Sequence, residues 1–453
     1  MNKVLDMTND KDNIYKLILS FALPLLIGNL FQQLFTFCDT IISTKLIGTF
    51  ALASIGATAS ILYFVVALSN GMGAGAAILV SKHFGNKDDA KIRNTIFSVV
   101  VINIVISFIL SSLILINIDY ILHFLNVPND VYNHAKDYFS VMIFGLVCTL
   151  LFNTLQGIIR ALGNSTFPLI TLIITVILNI ILDIVFLKYC NLGLFGSALA
   201  TITSQLVSVV ILIIYIYKVY PKYKVKKEDI YFEKKNVIDI ITTGLSMGIM
   251  NSIYAIGGIL MTKSINQLGT NIVNARTAGR KVIELLMTPL GSLANSCSVF
   301  VSQNYGAKNI KRASSGIIKT MLCQFVWCMM IFIVIPFEEA IVSFISNSND
   351  KEMIDNAIDS INFALPFYFP LGCLFTLRMS FQSLGRKIIP LVSSSIELLV
   401  KLLSAFYLIP KYGFFGEYIT EPISWLLCFI FVVTCFILYR KNKTFENSVL
   451  LRE

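Results

Sequence analysis

The stretch LIGTFALASIGATASILYFVVALSNGMGAGAAILVSKHFGNK, residues 46–87, decides the fold. Its first 36 residues carry no charged side chain. A hydrocarbon core about 30 Å thick needs roughly 20 apolar residues as a helix, so this run crosses a membrane with turns to spare for tilt or projection. A barrel strand would alternate and stop after about ten residues, which excludes a porin-type barrel. The run ends in Ser81-Lys-His-Phe-Gly-Asn-Lys87, where the chain returns to water.

Uncharged windows of the same kind lie at 17–38, 94–117, 138–159, 189–217 and 240–262, with slightly shorter ones at 320–337, 360–377 and 422–439. Three more carry charge. Window 167–187 holds Asp183, window 271–303 holds Arg276, Arg280, Lys281 and Glu284, and window 388–410 holds Glu397 and Lys401. The chain is therefore predicted to be an all-α integral membrane protein with twelve transmembrane helices. Composition agrees: 56% of the 453 residues are hydrophobic and 14% are charged, against roughly 25% charged in a soluble domain. Mean hydropathy is +0.76. A disordered chain, a secreted disulfide scaffold and an ordinary cytosolic enzyme are excluded. Nearly all of the nine cysteines sit inside apolar windows and none forms a CxxC pair, so they read as small hydrophobes. The first sixteen residues are polar and the apolar run after them is too long for a cleavable leader.

The basic residues fix an expected orientation. With the N-terminus in the cytoplasm, the inner segments collect the lysines and arginines at 3–16, 82–93, 218–235, 308–319 and 440–452, with Arg160, Arg378, Arg386 and Lys387. The outer segments receive Lys45, Lys136, Lys188, Lys263, Lys351 and Lys411. Both termini are then cytoplasmic in a multi-pass plasma-membrane protein. This asymmetry accounts for the net charge of +10 without a nucleic acid partner.

The chain also repeats itself. Ser81-Lys-His-Phe-Gly85-Asn-Lys87 matches Ser302-Gln-Asn-Tyr-Gly306-Ala-Lys308 at an offset of 221, and Gly48-Thr49 matches Gly269-Thr270 at the same offset. Ala161-Leu-Gly163 with Pro168-Leu169 matches Ser383-Leu-Gly385 with Pro390-Leu391 at 222. Gly193-Leu-Phe-Gly196 matches Gly413-Phe-Phe-Gly416 at 220. Each half is a six-helix unit. Six is even, so both halves share one orientation, and a pseudo-two-fold axis along the membrane normal is expected. The expected domains are an N-terminal lobe at 1–217, a basic cytoplasmic linker at 218–236 and a C-terminal lobe at 237–453. Parallel repeats of this kind belong to secondary transporters. Walker A, HExxH and GxSxG motifs are absent from the sequence, and the three histidines fall in loops or at helix ends, so no enzyme is expected.

Ionisable groups inside membrane helices mark functional sites by default. Asn29, Gln33, Thr36, Asp39 and Thr40 make a polar stripe on the first span, downstream of Pro24, whose missing N–H can kink a helix. Asp183 lies in the fifth span with Asn179 one turn before it on the same face. In the second half, Glu397 and Lys401, and likewise Arg280 and Glu284, stand at i,i+4 and are expected to pair. The alternative is that Arg276, Arg280, Lys281 and Lys401 make a partly cationic cavity. Aromatic and methionine residues suit organic ligands, so Tyr63, Phe64, Phe139, Met142, Met250 and Met287, with Gln33, Arg280 and Glu284, are candidates for a substrate cavity. The Gly71-Met-Gly73-Ala-Gly75 run lies within a helix and reads as close helix packing.

These marks together resemble the multidrug and toxic compound extrusion (MATE) family. Pro24 with Asp39, the Ser81–Lys87 segment, Arg160-Ala-Leu-Gly163-Asn, Asn179-x-x-x-Asp183 and Gly193-x-x-Gly196-x-x-x-x-Thr201 carry the likeness. It covers the whole chain and points to the branch of the DNA-damage-inducible and staphylococcal exporters. The resemblance implies a monomeric antiporter for small amphipathic organic compounds, working by alternating access without a cofactor other than a coupling ion, H⁺ or Na⁺. It implies a coupling site of Asp39, Asn179, Asp183 and Thr201, with Asn153 as a further member and no other metal site. The acid that Vibrio-type relatives carry in the middle of the seventh span is missing here. A flippase or exporter of an anionic lipid-linked precursor is the alternative within the same superfamily, though such flippases usually carry more than twelve helices.

Overall fold

The structure, a computed structural model, describes residues 5–125, 127–129, 131–346 and 350–441. Among these residues it is helical, without strands. The first half holds α1 (Ile14–Ile47), α2 (Thr49–Gly85), α3 (Asp89–Ile116), α4 (Tyr132–Phe144), α5 (Leu146–Ala161), α6 (Thr166–Asp183) and α7 (Gly193–Val219). The second holds α8 (Lys234–Ile265), α9 (Thr270–Gly306), α10 (Ile310–Ile331), α11 (Lys351–Ala364), α12 (Tyr368–Ser383), α13 (Ile388–Leu403) and α14 (Thr420–Lys441). Among the described residues, eleven helical stretches are long and apolar enough to span a membrane, and the bent pair α4–α5 makes a twelfth. Bulky apolar side chains such as Phe108, Ile116, Leu399 and Phe406 stand outward, each 65–80% exposed. In a bilayer that face meets lipid.

Window 138–159 is not the single helix its composition suggests. The chain bends by 44° between α4 and α5. The break falls at Gly145, where a side chain would collide with Ile202 of α7. In the second half the corresponding break is a short 3₁₀ turn, Leu365–Phe367, built on Pro366 between α11 and α12. Two different residues produce the interruption, each by a recognised route to a kink.

The backbone repeats where the sequence does. Positive φ occurs at Gly48 and Gly269, at Lys87 and Lys308, at Gly163 and Gly385, and at Gly193 and Gly413. These pairs keep the offsets of 220 to 222 seen in the sequence. A wide π turn follows α6 at Ile184–Tyr189, and another follows α13 at Ser404–Leu408.

The contacts divide the chain into two compact units. The first comprises Met1–Asp6 with Leu23–Asn251, and the second Met7–Ala22 with Ser252–Glu453. The cuts fall inside α1, beside Pro24, and inside α8. In the first unit the Gly71-Met-Gly73-Ala-Gly75 run does what its spacing predicts. A methyl added at Gly71 would strike the backbone of Gly248, one at Gly73 would meet Asn153, and one at Gly75 would meet Gly244. Small residues thus let α2 pack on α5 and α8 at backbone distance.

The basic segment after α7 is docked on this unit rather than free. Arg93 Nε donates to Asp229 Oδ2 at 2.7 Å, and Asn94 Nδ2 donates to the carbonyls of Asp229 and Tyr231 at 3.0 and 2.8 Å. Lys222 pairs with Asp89 at 2.9 Å. In the second unit the repeated motif serves as a socket. Met7 is fully buried, its N–H donates to Gln303 Oε1 at 3.0 Å, and its carbonyl accepts from Asn304 Nδ2 at 3.1 Å.

Burial raises the pKa of Asp229, but the hydrogen bonds from Arg93 and from the Lys226 N–H, with the charges of both residues, outweigh it and hold the group below the ordinary 3.8. A depressed folded pKa adds stability above 3.8 that is lost as pH falls through the folded value. Asp229→Asn is therefore expected to loosen the 218–235 segment at neutral pH by about 1–3 kcal/mol. Faster trypsin cleavage at its lysines reads this out. Wild-type protein should acquire the same sensitivity, to an acid-active protease, only below about pH 4. Equal cleavage of both proteins at neutral pH contradicts the assignment.

Candidate functional site

The fifth span positions the first cluster. Asn179 and Asp183 lie one turn apart on the face of α6 that packs against α7, and both are fully buried. Thr201 of α7, 9% exposed, faces them. The Asn179 amide bridges the other two. With the amide turned so that its nitrogen faces the carboxylate, the orientation that satisfies both ends, Nδ2 donates to Asp183 Oδ2 at 3.0 Å and Oδ1 accepts from the Thr201 N–H at 3.1 Å. The Thr201 hydroxyl donates to the Ser197 carbonyl at 3.3 Å. Immediately after Asp183 the helix widens into the π turn, a feature frequent at functional sites.

Of the residues the resemblance implies, the structure brings together Asn179, Asp183 and Thr201. Asn153 is turned toward α2, where its Nδ2 donates to Ser69 Oγ at 3.0 Å. Asp39 lies within α1, and its side chain is outside the described residues. Among the cavity candidates, Phe139 does not line an opening. It is fully enclosed with Val65, Leu122 and Leu146, because its helix turns that face into the apolar core. Met250 is buried as well, and Met142 packs against Ala51, Tyr138 and Ala198. Gln33, Tyr63 and Phe64 are exposed. Met287, Arg280 and Glu284 do line a pocket of the second unit.

The charges of the second half are paired, as their spacing predicts, but within a larger chain. Glu397 meets Lys401 at 3.3 Å and Arg280 meets Glu284 at 3.2 Å. Lys401 also meets Glu421 at 3.1 Å, and Arg276 meets Glu417 at 2.8 Å. Lys281 is exposed. Arg378 is not in a segment between helices. It lies within α12, 6% exposed, donating to Glu397 Oε2 at 2.9 Å and to Ser393 Oγ at 3.0 Å. An uncharged window must stop at an arginine, whereas the helix continues because Glu397 on α13 neutralises it.

The repeat shows what this chain of charges replaces. At the offset of 222 that carries Pro168 onto Pro390, Asn179 falls on Lys401 and Thr175 on Glu397. At the offset of 220 that carries Gly193 onto Gly413, Thr201 falls on Glu421. The Asn179–Thr201 contact of the first unit is thus an ion pair, Lys401–Glu421, in the second. Sequence reasoning passed over Arg378, Glu417 and Glu421, although the second offset points to Glu421.

Comparison with known proteins agrees with the repeat. The MatE family model matches the chain twice, over residues 24–185 and 246–407, so the second match starts 222 residues after the first. The chain belongs to the MatE family. Among MatE-like curated proteins it is similar to the probable multidrug resistance protein YoeA of Bacillus subtilis, 20% identical over 74% of each chain. It is also similar to the multidrug export protein MepA of Staphylococcus aureus, 21% identical over 98% of each. Solved MATE structures share the fold. One in complex with MaL6 superposes with a TM-score of 0.87 over 98% of this chain and 100% of the other, at 18% identity. A MOP superfamily transporter from Pyrococcus furiosus gives 0.85 over 95% and 96%, also at 18% identity.

Removing one partner from a buried ion pair costs about 3–5 kcal/mol because the other charge is left uncompensated. Lys401→Met is expected to lower the melting temperature in detergent clearly, since Glu421 then loses its cation. Adding Glu421→Gln should restore much of the loss. A double variant no more stable than the single one contradicts the pairing.

Proposed function

We propose that this MatE-family chain is an antiporter that exports small amphipathic organic compounds, driven by an H⁺ or Na⁺ gradient through alternating access. The observation that supports the coupling reading is the fully buried carboxylate of Asp183, held by Asn179 beside Thr201 in a membrane-spanning bundle. A charged carboxylate enclosed in protein is costly unless a proton, a cation or hydrogen bonds offset the charge. Carboxylate, amide and hydroxyl oxygens are the donors a hard cation prefers. Asp183 would hold the proton or ion, Asn179 would fix the carboxylate, and Thr201 would supply further oxygen. Asp39, on the polar stripe of α1, is proposed as the second acid. Binding does work only if it favours one of the two access states over the other.

Multidrug export is supported by the names that relatives such as MepA carry. An anionic lipid-linked substrate is less well supported. It needs unpaired cations, whereas Arg276, Arg280, Arg378 and Lys401 each have a glutamate partner. The plasma membrane, with both termini cytoplasmic, is the proposed placement.

Asp183→Asn keeps the size of the side chain and can neither bind a proton nor offer a full charge. In everted vesicles with an imposed proton or sodium gradient, this variant is expected to export ethidium no faster than vesicles lacking the protein. Glu284→Gln should keep most activity, because Glu284 is half exposed and its ion pair among the described residues is with Arg280. Comparing the two gradients separates H⁺ from Na⁺ coupling. Full gradient-driven export by Asp183→Asn removes Asp183 from the mechanism.

A further inference from the structure

A pocket of about 500 Å³, counting the space at its mouth, opens in the second unit. Arg276, Arg280 and Glu284 reach it from α9, Glu417 from the short turn before α14, and Glu421 and Trp425 from the first turns of that helix. Arg276 pairs with Glu417, Arg280 with Glu284, and Glu421 with Lys401, so the wall favours neither a bulk anion nor a bulk cation.

Two atoms of that wall are left over. Arg276 donates through Nε to Glu417 Oε1 at 2.8 Å and through Nη1 to Thr262 Oγ1 at 3.1 Å. Its Nη2 is buried and has no hydrogen-bond partner among the described residues. Glu421 Oε1 takes the Lys401 ammonium at 3.1 Å, while the buried Oε2 accepts nothing from the described residues. A buried donor or acceptor left unmet is unfavourable, and each one calls for an explanation. Both residues line the pocket, so its wall contains one buried spare donor and one buried spare acceptor. Beside them lies the Trp425 ring, 3% exposed and stacked on Tyr368.

The repeat does not demand these charges. At the offset of 221, Arg276 and Arg280 fall on Ile55 and Ala59, and at 220 Glu421 falls on Thr201. The same architecture therefore stands in the first unit without them. We propose that the pocket binds a small amphipathic zwitterion. Its carboxylate is taken by Arg276, its ammonium by Glu421, and its apolar body lies against Trp425. That the occupant is exported cargo rests on the antiport reading above, but its binding does not.

The sequence contains two tryptophans, so Trp327→Phe leaves Trp425 as a single reporter. Full-length protein carrying that change, in lipid nanodiscs, is titrated with three related probes. Nε-dansyl-lysine is a zwitterion, its methyl ester a cation and its Nα-acetyl derivative an anion. Energy transfer from Trp425 to dansyl reports occupancy. The zwitterion should bind roughly tenfold or more tightly than either derivative, since each lacks one charge-assisted contact. Glu421→Gln should weaken the zwitterion and the ester and spare the acetyl compound. Should that variant fail to fold, the three probes on the Glu421 protein still decide. Equal affinities, a tighter ester, or no transfer from Trp425 overturns the proposal. Ethidium export is measured on the same protein. Zwitterion binding without export upholds the pocket and removes its role in transport. Export without zwitterion binding overturns the pocket and leaves the antiport reading in place.

Discussion

A charge carried into the hydrocarbon region must be answered by the protein itself, since no bulk water is there to solvate it. The two halves meet this constraint in opposite ways on one backbone plan. Within the spans of the first unit, among the described residues, Asp183 is buried near the end of α6 with an amide as partner. The second carries Glu397, Lys401, Arg378 and Glu421 and gives each an opposite charge. Both choices are costly compared with an apolar core, because buried ion pairs seldom repay their desolvation. Such groups inside a membrane span are a default sign of function.

The backbone plan explains how one fold can hold two chemistries. The left-handed residues and π turns recur at matching offsets, and so does the interruption of the fourth span. Gly145 makes that break by leaving room for Ile202, while Pro366 makes it by lacking an N–H. At Gly163 and Gly385 the chain turns with φ of 85° and 74°, a region where a side chain would be strained. The repeat thus fixes where helices begin, break and end. The side chains at Asn179 and Lys401, or at Thr201 and Glu421, vary on that frame without disturbing it.

Much of this was legible in the sequence, and the reasons are physical. Residues 46–87 read clearly because hydropathy integrates over a whole span. Asn179 and Asp183 read clearly because i,i+4 on one helix is a local relation. What could not be read depended on neighbours. Arg378 looked like the edge of a loop because its partner Glu397 is on another helix. Phe139 looked like a pocket residue because aromatic character does not reveal which face is enclosed. The docking of 218–235 was hidden for the same reason. Its lysines dominate the composition, while the contacts that hold it come from Asp229, Arg93 and Asn94. Asp39 lies outside this comparison, since its side chain is not among the described residues.

The replacement of Asn179 by Lys401 bears on which half would sense an ion gradient under the proposed antiport. A neutral amide beside a carboxylate supplies no counter-charge, so under the proposed antiport a proton or a cation from the bulk would balance it. An ammonium tethered between Glu397 and Glu421 is a built-in counter-charge at the corresponding place, and its local concentration is fixed by covalent attachment rather than by the bulk. A mobile proton or Na⁺ must compete with it and gains little differential affinity there. Coupling requires such a difference between states, so under the proposed antiport it would fall to the unit that kept the amide. The half with the built-in cation retains spare polar atoms at Arg276 and Glu421, which suit it to holding a ligand rather than a driving ion.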